Sequence, residues 1–476
     1  MPSLADVRSR LAAIQQEHVL RFYDRLTLDQ QRTLLEQVES IDLESLPRWV
    51  QTYVKHKPTF ALPPGIEPAP YYPHDPASSV RPWDRGAMKL AGENLIRHGK
   101  VGAFVVAGGQ GSRLGYEGPK GCYPAGAVTN KPLFQIFAEG ILAARARYGA
   151  AIPWYIMTSP LNHAATVAFF KEHRFFGLPE SDVKFFPQGV MPSLDIASGR
   201  MLMSSRHEIA TNPDGHGGAI RALHVSGSLD DMKKRGVEHL SYFQVDNPTV
   251  RVIDPVFLGL HAAAPDSSGE MSSKMVPKAS AEEKVGVFCR ANGKTEVVEY
   301  SDLPAVLTNA RLGNGSLKFL AGSIAIHIIG VAFIEKLATN PDFELPFHRA
   351  EKKVPCIDLE TGASINPTSN NGVKLEKFVF DALARCRASI VYETDRVEEF
   401  APIKNATGID SVESSRTLQT ERAARWLESA GLKVPRRPDG AADCVLEISP
   451  LSATEAGELG VTKLPQEIER GARVAV

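Results

Sequence analysis

A chain of 476 residues, 43% of them hydrophobic, is long enough to bury a sizeable core and to divide into two or three domains. Its 54 Lys and Arg nearly balance 55 Asp and Glu, giving a formal net charge of -1, so no long-range field draws it to a nucleic acid or to an anionic membrane. Five dispersed cysteines, Cys122, Cys289, Cys356, Cys386 and Cys444, make no C-x-x-C pair and suggest neither a disulfide framework nor a structural zinc site.

The N-terminus "MPSLADVRSR" lacks the continuous apolar core of a secretory signal, and a cytoplasmic location is expected. Residues 4 to 50 read as helical: Leu4, Val7, Leu11 and Ile14 recur at three- and four-residue steps, and Thr27 with Gln30 has capping-box spacing ahead of Leu34, Leu35 and Val38. The stretch 57 to 84 holds 8 of the chain's 33 prolines, too many for a helix or a central strand, and reads as an extended connector. Beyond it, short apolar runs alternate with amphipathic helices, the pattern of a parallel sheet covered by helices. "VGAFVVA", "IPWYIMTS", "DVKFFPQG" and "HLSYFQVDN" are predicted strands. "KPLFQIFAEGILAARARYG", opened by Pro132, "HAATVAFFKEHRFFG" and "GAIRALHVSGSLDDMKKRG" are predicted helices. Asn292-Gly293 lies between two strand-like runs and predicts a type I′ hairpin. The run "FLAGSIAIHIIGVAFI" at 319 to 334 carries His327 and two glycines, is shorter than the roughly 18 to 20 residues that span a bilayer, and reads as buried strand. A last helix is expected around "SSRTLQTERAARWLESAGL". The expected organisation is a helical N-terminal region with its Pro-rich connector over 1–98, a central domain over 99–380 and a small C-terminal domain over 381–476. The fold class is α/β, with a mixed, mostly parallel central sheet flanked by helices.

Chemistry concentrates in "VVAGGQGSRLGYEGPKGCYP" (105 to 124), where a strand runs into a glycine cluster followed by Arg113 and Lys120. A Walker A loop needs G-x-x-x-x-G-K-[ST], but Lys120 stands in Pro119-Lys120-Gly121 with no hydroxyl after it. A dinucleotide fingerprint fails as well: counting from Gly109 gives Gly111 and then Leu114 instead of a third glycine, and no acidic residue follows about 20 residues on. What remains is a loop in which Gly108, Gly109 and Gly111 let backbone N–H groups approach a nucleotide and the two cations meet its phosphates. A tight structural turn with two exposed cations is the bland alternative.

"AGGQGSRLG" with "PKG", "LFQI", "FFPQG", "PDGHGG" followed by "RAL", "QVDNP", "VEYSDL", "NGVKLEKFVFD", "FAPIKNA" and "LEISPLS" occur in order over nearly the whole chain. In these motifs the sequence resembles the UDP-N-acetylglucosamine pyrophosphorylases, UTP-dependent sugar-1-phosphate uridylyltransferases with a glycosyltransferase A-like, Rossmann-like central domain. The resemblance implies that the backbone at Gly108 and Gly109 cradles the nucleotide. It implies that Gln188 and Gly189 recognise uracil with Gly215, and that Asp246 contacts Mg²⁺. Arg113, Lys120, Lys374 and Lys404 are implied to meet the phosphates, and Glu299 the sugar hydroxyls. Taken singly, each of these has an ordinary reading: Gln188 as a strand-end surface residue, Asp246 as a cap of the Asn247-Pro248 turn, and the lysines as solvated charges. The chain departs from the family at two positions, His216 and Ser323, where asparagines associated with the sugar stand; the His216 segment is similar to that of UDP-glucose and broad UDP-sugar pyrophosphorylases.

The expected reaction is UTP plus a hexose 1-phosphate, glucose 1-phosphate or N-acetylglucosamine 1-phosphate, giving a UDP-sugar and pyrophosphate, with Arg113, Lys120 and Lys404 as the catalytic cations and Mg²⁺ as cofactor. No nucleic acid or membrane partner is expected. The rival is a UDP-sugar sensor of the same fold that performs no turnover.

Overall fold

In a computed structural model, residues 3–58, 62–340, 343–460 and 467–476 are described, and the chain divides into two compact units. The first unit draws on residues 1–61, 188–219 and 344–379, and the second on 62–187, 220–343 and 380–476.

The first unit begins with helices Leu4–Ala13 and Leu28–Ser40, the second opened by the Thr27/Gln30 capping box that the spacing predicts. Their apolar stripes, with Val7, Leu11, Leu34 and Val38 fully buried, need cover. Two later chain segments supply it: Met191, Leu194, Met201 and Met203 from one, Phe347, Val373 and Leu375 from the other. Those segments join as a three-stranded antiparallel sheet in the order Phe347–Lys352, Gly372–Lys377, Leu194–Asp195. Gln16 ties helix to segment, its side chain accepting from the Met201 N–H at 2.8 Å.

The second unit is mixed α/β around a ten-stranded sheet. Its parallel part runs in the order His239–Gln244, Val101–Val106, Trp154–Thr158, Val183–Pro187. Val101–Val106 and Trp154–Thr158 are apolar at almost every position because both faces are covered. Val101, Ala103 and Val105 face a core that includes Phe134, Phe137 and Phe243. Phe104 points the opposite way, to Tyr242 at 5.4 Å and Phe186 at 6.0 Å between ring centroids. Ala321–Gly330 pairs antiparallel with His239–Gln244 and also with Met271–Pro277, adding the antiparallel half. Residues Val287–Ala291 and Lys294–Val298 form the expected hairpin, with Asn292 at φ 50° and Gly293 at φ 77°.

Helix Leu133–Tyr148 starts after Pro132 and stops at Gly149 in the left-handed region, φ 64°. The expected single helix over 218–236 is two, Ala219–Val225 and Ser228–Arg235, broken where Gly227 takes φ 69°. The apolar run at 319–334 is strand to Gly330 and then helix Val331–Ala338. No helix among the described residues is long and apolar enough to cross a membrane.

The compact units cut the chain differently from the partition at 98 and 380, because the N-terminal helices take their apolar partners from segments far away in sequence. The last hundred residues hold a small core of their own around Trp426, Leu427 and Leu446. They nonetheless belong to the second unit, where Glu447 accepts from the Val128 and Thr129 N–H groups at 2.7 and 2.8 Å.

Candidate functional site

The strand order of the parallel sheet reverses between Val101–Val106 and His239–Gln244: the next strand in sequence lies on one side of the first, a later one on the other. At such a switch point the connections leaving the carboxyl ends diverge and open a crevice, the usual ligand position in open α/β sheets. The glycine loop leaves the first of these strands and Asp246 follows the second, two residues past its end.

The loop is held by its own backbone. The Gly111 N–H donates to Gly118 O at 2.9 Å and the Lys120 N–H to Gly109 O at 3.1 Å. Gly118 has φ 139°, and a Cβ on Gly111 would lie 2.7 Å from the Tyr116 side chain, so the fold needs glycine at both. At Gly121 a Cβ would meet the ring of buried Phe134 at 2.1 Å, which explains the glycine after Lys120. Buried Asn162 braces the loop from behind, donating to Ala107 O at 2.9 Å and to Gly109 O at 3.1 Å. Sequence reasoning missed this residue; the only available signal was its place at the end of the neighbouring strand's loop.

Lys120 and Asp246 are each 15% exposed, with Nζ and Oδ2 3.9 Å apart. Burial pushes the Lys120 ammonium below the usual lysine range; Asp246 draws it back up, and the charges of Lys404 and Arg113 push it down again. Lys120 therefore shares a local field with Asp246, Lys404 and Arg113. Arg113 is exposed on the short turn Ser112–Leu114. Lys404 lies in a segment whose Ile403 N–H donates to Asp246 O at 2.8 Å, and its own Nζ is 3.3 Å from Asp410 Oδ2. Gly109 is exposed and Gly108 half-buried at the mouth of the same loop.

Glu299 and Ser323 form a second group in this unit, both beside Gly286. The Ser323 N–H donates to Gly286 O at 2.7 Å, and Glu299 Oε1 lies 3.1 Å from where a Gly286 Cβ would be. A bulge between Ser273 and Met275 and a left-handed Ala325, φ 55°, distort the strand that carries Ser323.

Gln188, Gly189, Gly215, His216 and Lys374 belong to the first unit. The Asp214 N–H donates to Gly189 O at 3.1 Å, and a Cβ on Gly189 would come within 2.6 Å of the Asp214 carboxylate. Gly215 has φ 83° and leaves no room for a Cβ, which would sit 2.4 Å from Lys377 O. His216 accepts at Nδ1 from the Val379 N–H at 3.1 Å and stacks on Phe378 with ring planes 7° apart. A backbone N–H can only donate, so the neutral ring carries its proton on Nε2. Burial and the neighbouring His348 lower its pKa to about 4. Gln188 is buried, and Lys374 is half-buried at the middle of strand Gly372–Lys377.

Among the described residues no group of three or more His, Cys, Asp or Glu side chains is arranged to hold a metal ion. A lone carboxylate such as Asp246 suits a hard cation whose remaining ligands are phosphate oxygens and water, which is the habit of Mg²⁺.

Residues 87–429 match the family model of UTP–glucose-1-phosphate uridylyltransferase. The chain is 36% identical over 470 residues to UDP-N-acetylglucosamine diphosphorylase 2 of Arabidopsis thaliana, covering 94% of this chain and 89% of that protein. It is 34% identical over 446 residues to the UDP-N-acetylglucosamine pyrophosphorylase of Saccharomyces cerevisiae, covering 90% and 92%. The crystal structure of the uridine diphosphate N-acetylglucosamine pyrophosphorylase from Trypanosoma brucei superimposes with a TM-score of 0.79 at 25% identity, over 100% of this chain and 99% of that one. A UDP-glucose pyrophosphorylase from Leishmania major shares the fold, with a TM-score of 0.59 at 15% identity over 91% and 87%.

Proposed function

The chain belongs to the UTP–glucose-1-phosphate uridylyltransferase family, and on that premise we propose that it transfers the uridylyl group of UTP to a hexose 1-phosphate at the loop 108–120, releasing pyrophosphate. A bond forms between an oxygen of the sugar phosphate and the α-phosphorus, and the α–β phosphoanhydride breaks. No general base is required, because a phosphate monoester with a second pKa of about 6 is already mostly dianionic near neutrality. The protein's task is to hold two anions together and to stabilise charge on the transferred group and the departing pyrophosphate.

The observation that carries this reading is the gathering of Asp246, Lys404 and Arg113 about Lys120 at the sheet's switch point. The two lysines and the arginine supply positive charge for the phosphates, and the Gly108–Gly109 backbone leaves space for them. Mg²⁺ held by Asp246 would neutralise phosphate oxygens when bound. In the same reading Gln188, with Gly189 and Gly215, recognises uracil: its amide offers a donor and an acceptor to a base edge that presents both. Lys374 meets phosphate and Glu299 accepts from sugar hydroxyls. The sugar is N-acetylglucosamine or a hexose without the acetamide, since His216 and Ser323 stand where the resembling enzymes carry asparagine. A cytoplasmic location accompanies this reading.

A stabilised leaving pyrophosphate has no use in a sensor, which argues for turnover. Pyrophosphate release measured with UTP, Mg²⁺ and a panel of sugar 1-phosphates tests it. Turnover on at least one sugar is expected; UDP-sugar binding without turnover on any of them would replace the enzyme by the sensor.

A further inference from the structure

Behind the Asp246 loop lies a buried charge cluster that uridylyl transfer does not touch. Lys274, on strand Met271–Pro277, is wholly buried, with Nζ 2.5 Å from Asp254 Oδ2 and 2.7 and 2.6 Å from the two oxygens of Glu399. Glu399 Oε2 also accepts from Thr394 Oγ1 at 2.6 Å, and Oε1 from the Arg251 N–H at 3.2 Å. Against the upward push of burial, Lys274 and Arg251 hold the Asp254 carboxyl well below the usual carboxylate range. Taking such charges out of water is costly, and an apolar set of the same volume is often as stable. The cluster's use is therefore read from what it fixes.

Glu399 ends the turn Arg396–Glu399 and opens the segment that leads to Lys404. Alternate residues of that segment are pinned to the loop after strand His239–Gln244. Asn247 Nδ2 donates to Glu399 O at 2.6 Å, the Ala401 N–H donates to Asn247 Oδ1 at 3.1 Å, and the Ile403 N–H donates to Asp246 O at 2.8 Å. Ser415 Oγ closes the far side, donating to Ala401 O at 2.6 Å. Lys404 is the next residue, and its charge is one of those that Lys120 feels. One end of the strap is thus gripped through both oxygens of Glu399, and the other end carries a cation into the phosphate field.

We propose that Lys274 is a positioning residue: by gripping Glu399 it fixes the Phe400–Lys404 segment against Asp246 and Asn247, and so sets where the Lys404 ammonium stands beside Lys120. This rests on the reading of Lys404 given above. The geometry needs no movement of the strap and no contact between Lys274 and substrate.

A double-mutant cycle in the full-length enzyme decides it. Glu399→Gln keeps the side chain's shape but weakens the grip, and is expected to lower kcat about tenfold while changing the KM for UTP less than about twofold. In a Lys404→Ala background the same substitution is expected to change kcat by less than about twofold, because the group it acts through is gone. Thr394→Val is a gentler change on the same carboxylate, expected to lower kcat about threefold with the same loss of effect, and it decides the matter if Glu399→Gln does not fold. Equal fold-losses in both backgrounds, with Lys404→Ala itself impaired, overturn the positioning role and leave the function standing. Wild-type kcat in Lys404→Ala overturns the role of Lys404 and this inference with it.

Discussion

Lys120 carries its charge where burial disfavours it and where Lys404 and Arg113 press on it, with Asp246 as the opposing charge. A cation held under that strain is one that an arriving phosphate relieves. Lys120→Ala is therefore expected to lower kcat/KM by more than about tenfold, the equivalent of roughly 1.4 kcal/mol in the transition state; wild-type turnover would make Lys120 a mere loop cation. From the residues alone, Arg113 and Lys120 are distinguished by sharing one loop, whereas Lys404 is one cation among 54 and only the motif around it sets it apart. The brace Asn162 shows in the sequence only as a polar residue in the loop after a neighbouring strand, and the grip of Lys274 does not show at all, since each depends on a partner distant in sequence. His216 offers a second test at this scale. Its folded-state pKa of about 4 lies below the ordinary 6.5, so between those values the unfolded chain binds a proton that the folded chain does not. By linkage, its contribution to stability is complete above about pH 6.5 and is lost as pH falls toward 4. Going from pH 7.5 to 5 should cost up to about 2 kcal/mol through this group. Urea midpoints at the two pH values should therefore lie closer together in His216→Asn than in the parent chain, and an unchanged gap would mean that other groups carry the acid sensitivity.

Helix Arg85–Arg97 and helix Pro255–Ala263 meet through two glycines, and this crossing seats the loop that precedes the second helix. A Cβ on Gly92 would lie 1.8 Å from Pro255 O, and one on Gly259 would lie 1.7 Å from Met88 O. Neither obstacle is a flexible side chain, so the helices must separate. Gly259→Ala is expected to destabilise the fold by about 1 to 3 kcal/mol, the usual range for overpacking, despite the better helix propensity of alanine. A lowered thermal midpoint checks it, and an unchanged midpoint would show that the crossing has slack. At this scale most of the parallel sheet was readable, because Val101–Val106 and Trp154–Thr158 are continuous apolar runs bounded by Gly and Pro. The hairpin was readable for a different reason: Asn292-Gly293 tolerates the positive φ that a type I′ turn demands. Where one periodicity passes into another the reading blurred. The run 319–334 is predominantly apolar on both sides of Gly330, and apolarity alone does not mark Gly330 as the place where strand becomes helix. The break at Gly227 was hidden in the same way, since a single glycine inside a helical pattern is often tolerated.

The chain as a whole interleaves its two compact units, the first returning at 188–219 and again at 344–379. Nothing local announces this; the apolar stripes of the N-terminal helices show that a partner is needed, but not which segments provide it. The two positions that the resemblance ties to the sugar are split accordingly, His216 in the first unit and Ser323 in the second, and each is a separate proposal. An acetamide presents both a donor and an acceptor, and an asparagine side chain can answer both. His216 is neutral with Nδ1 engaged by the Val379 N–H, and an imidazole in that state cannot present the paired donor and acceptor of a carboxamide. On the proposed reading, a hydroxyl at Ser323 is shorter than a carboxamide and would leave more of the sugar's periphery to water. An amide buried without a full set of partners loses about 1 to 3 kcal/mol, and this penalty falls on N-acetylglucosamine 1-phosphate and spares glucose 1-phosphate. The parent enzyme is therefore expected to turn over glucose 1-phosphate, or another hexose 1-phosphate without the acetamide, at least as well as the acetylated sugar. His216→Asn is expected to move the ratio of the two kcat/KM values toward N-acetylglucosamine 1-phosphate by roughly five- to 150-fold, the span that those energies translate into. Ser323→Asn should move it in the same direction. Initial rates with both sugars, for the parent and each variant, measure the ratio directly. A parent that strongly prefers N-acetylglucosamine 1-phosphate, with the ratio unmoved by either substitution, would mean that the acetamide is recognised by groups other than these two positions.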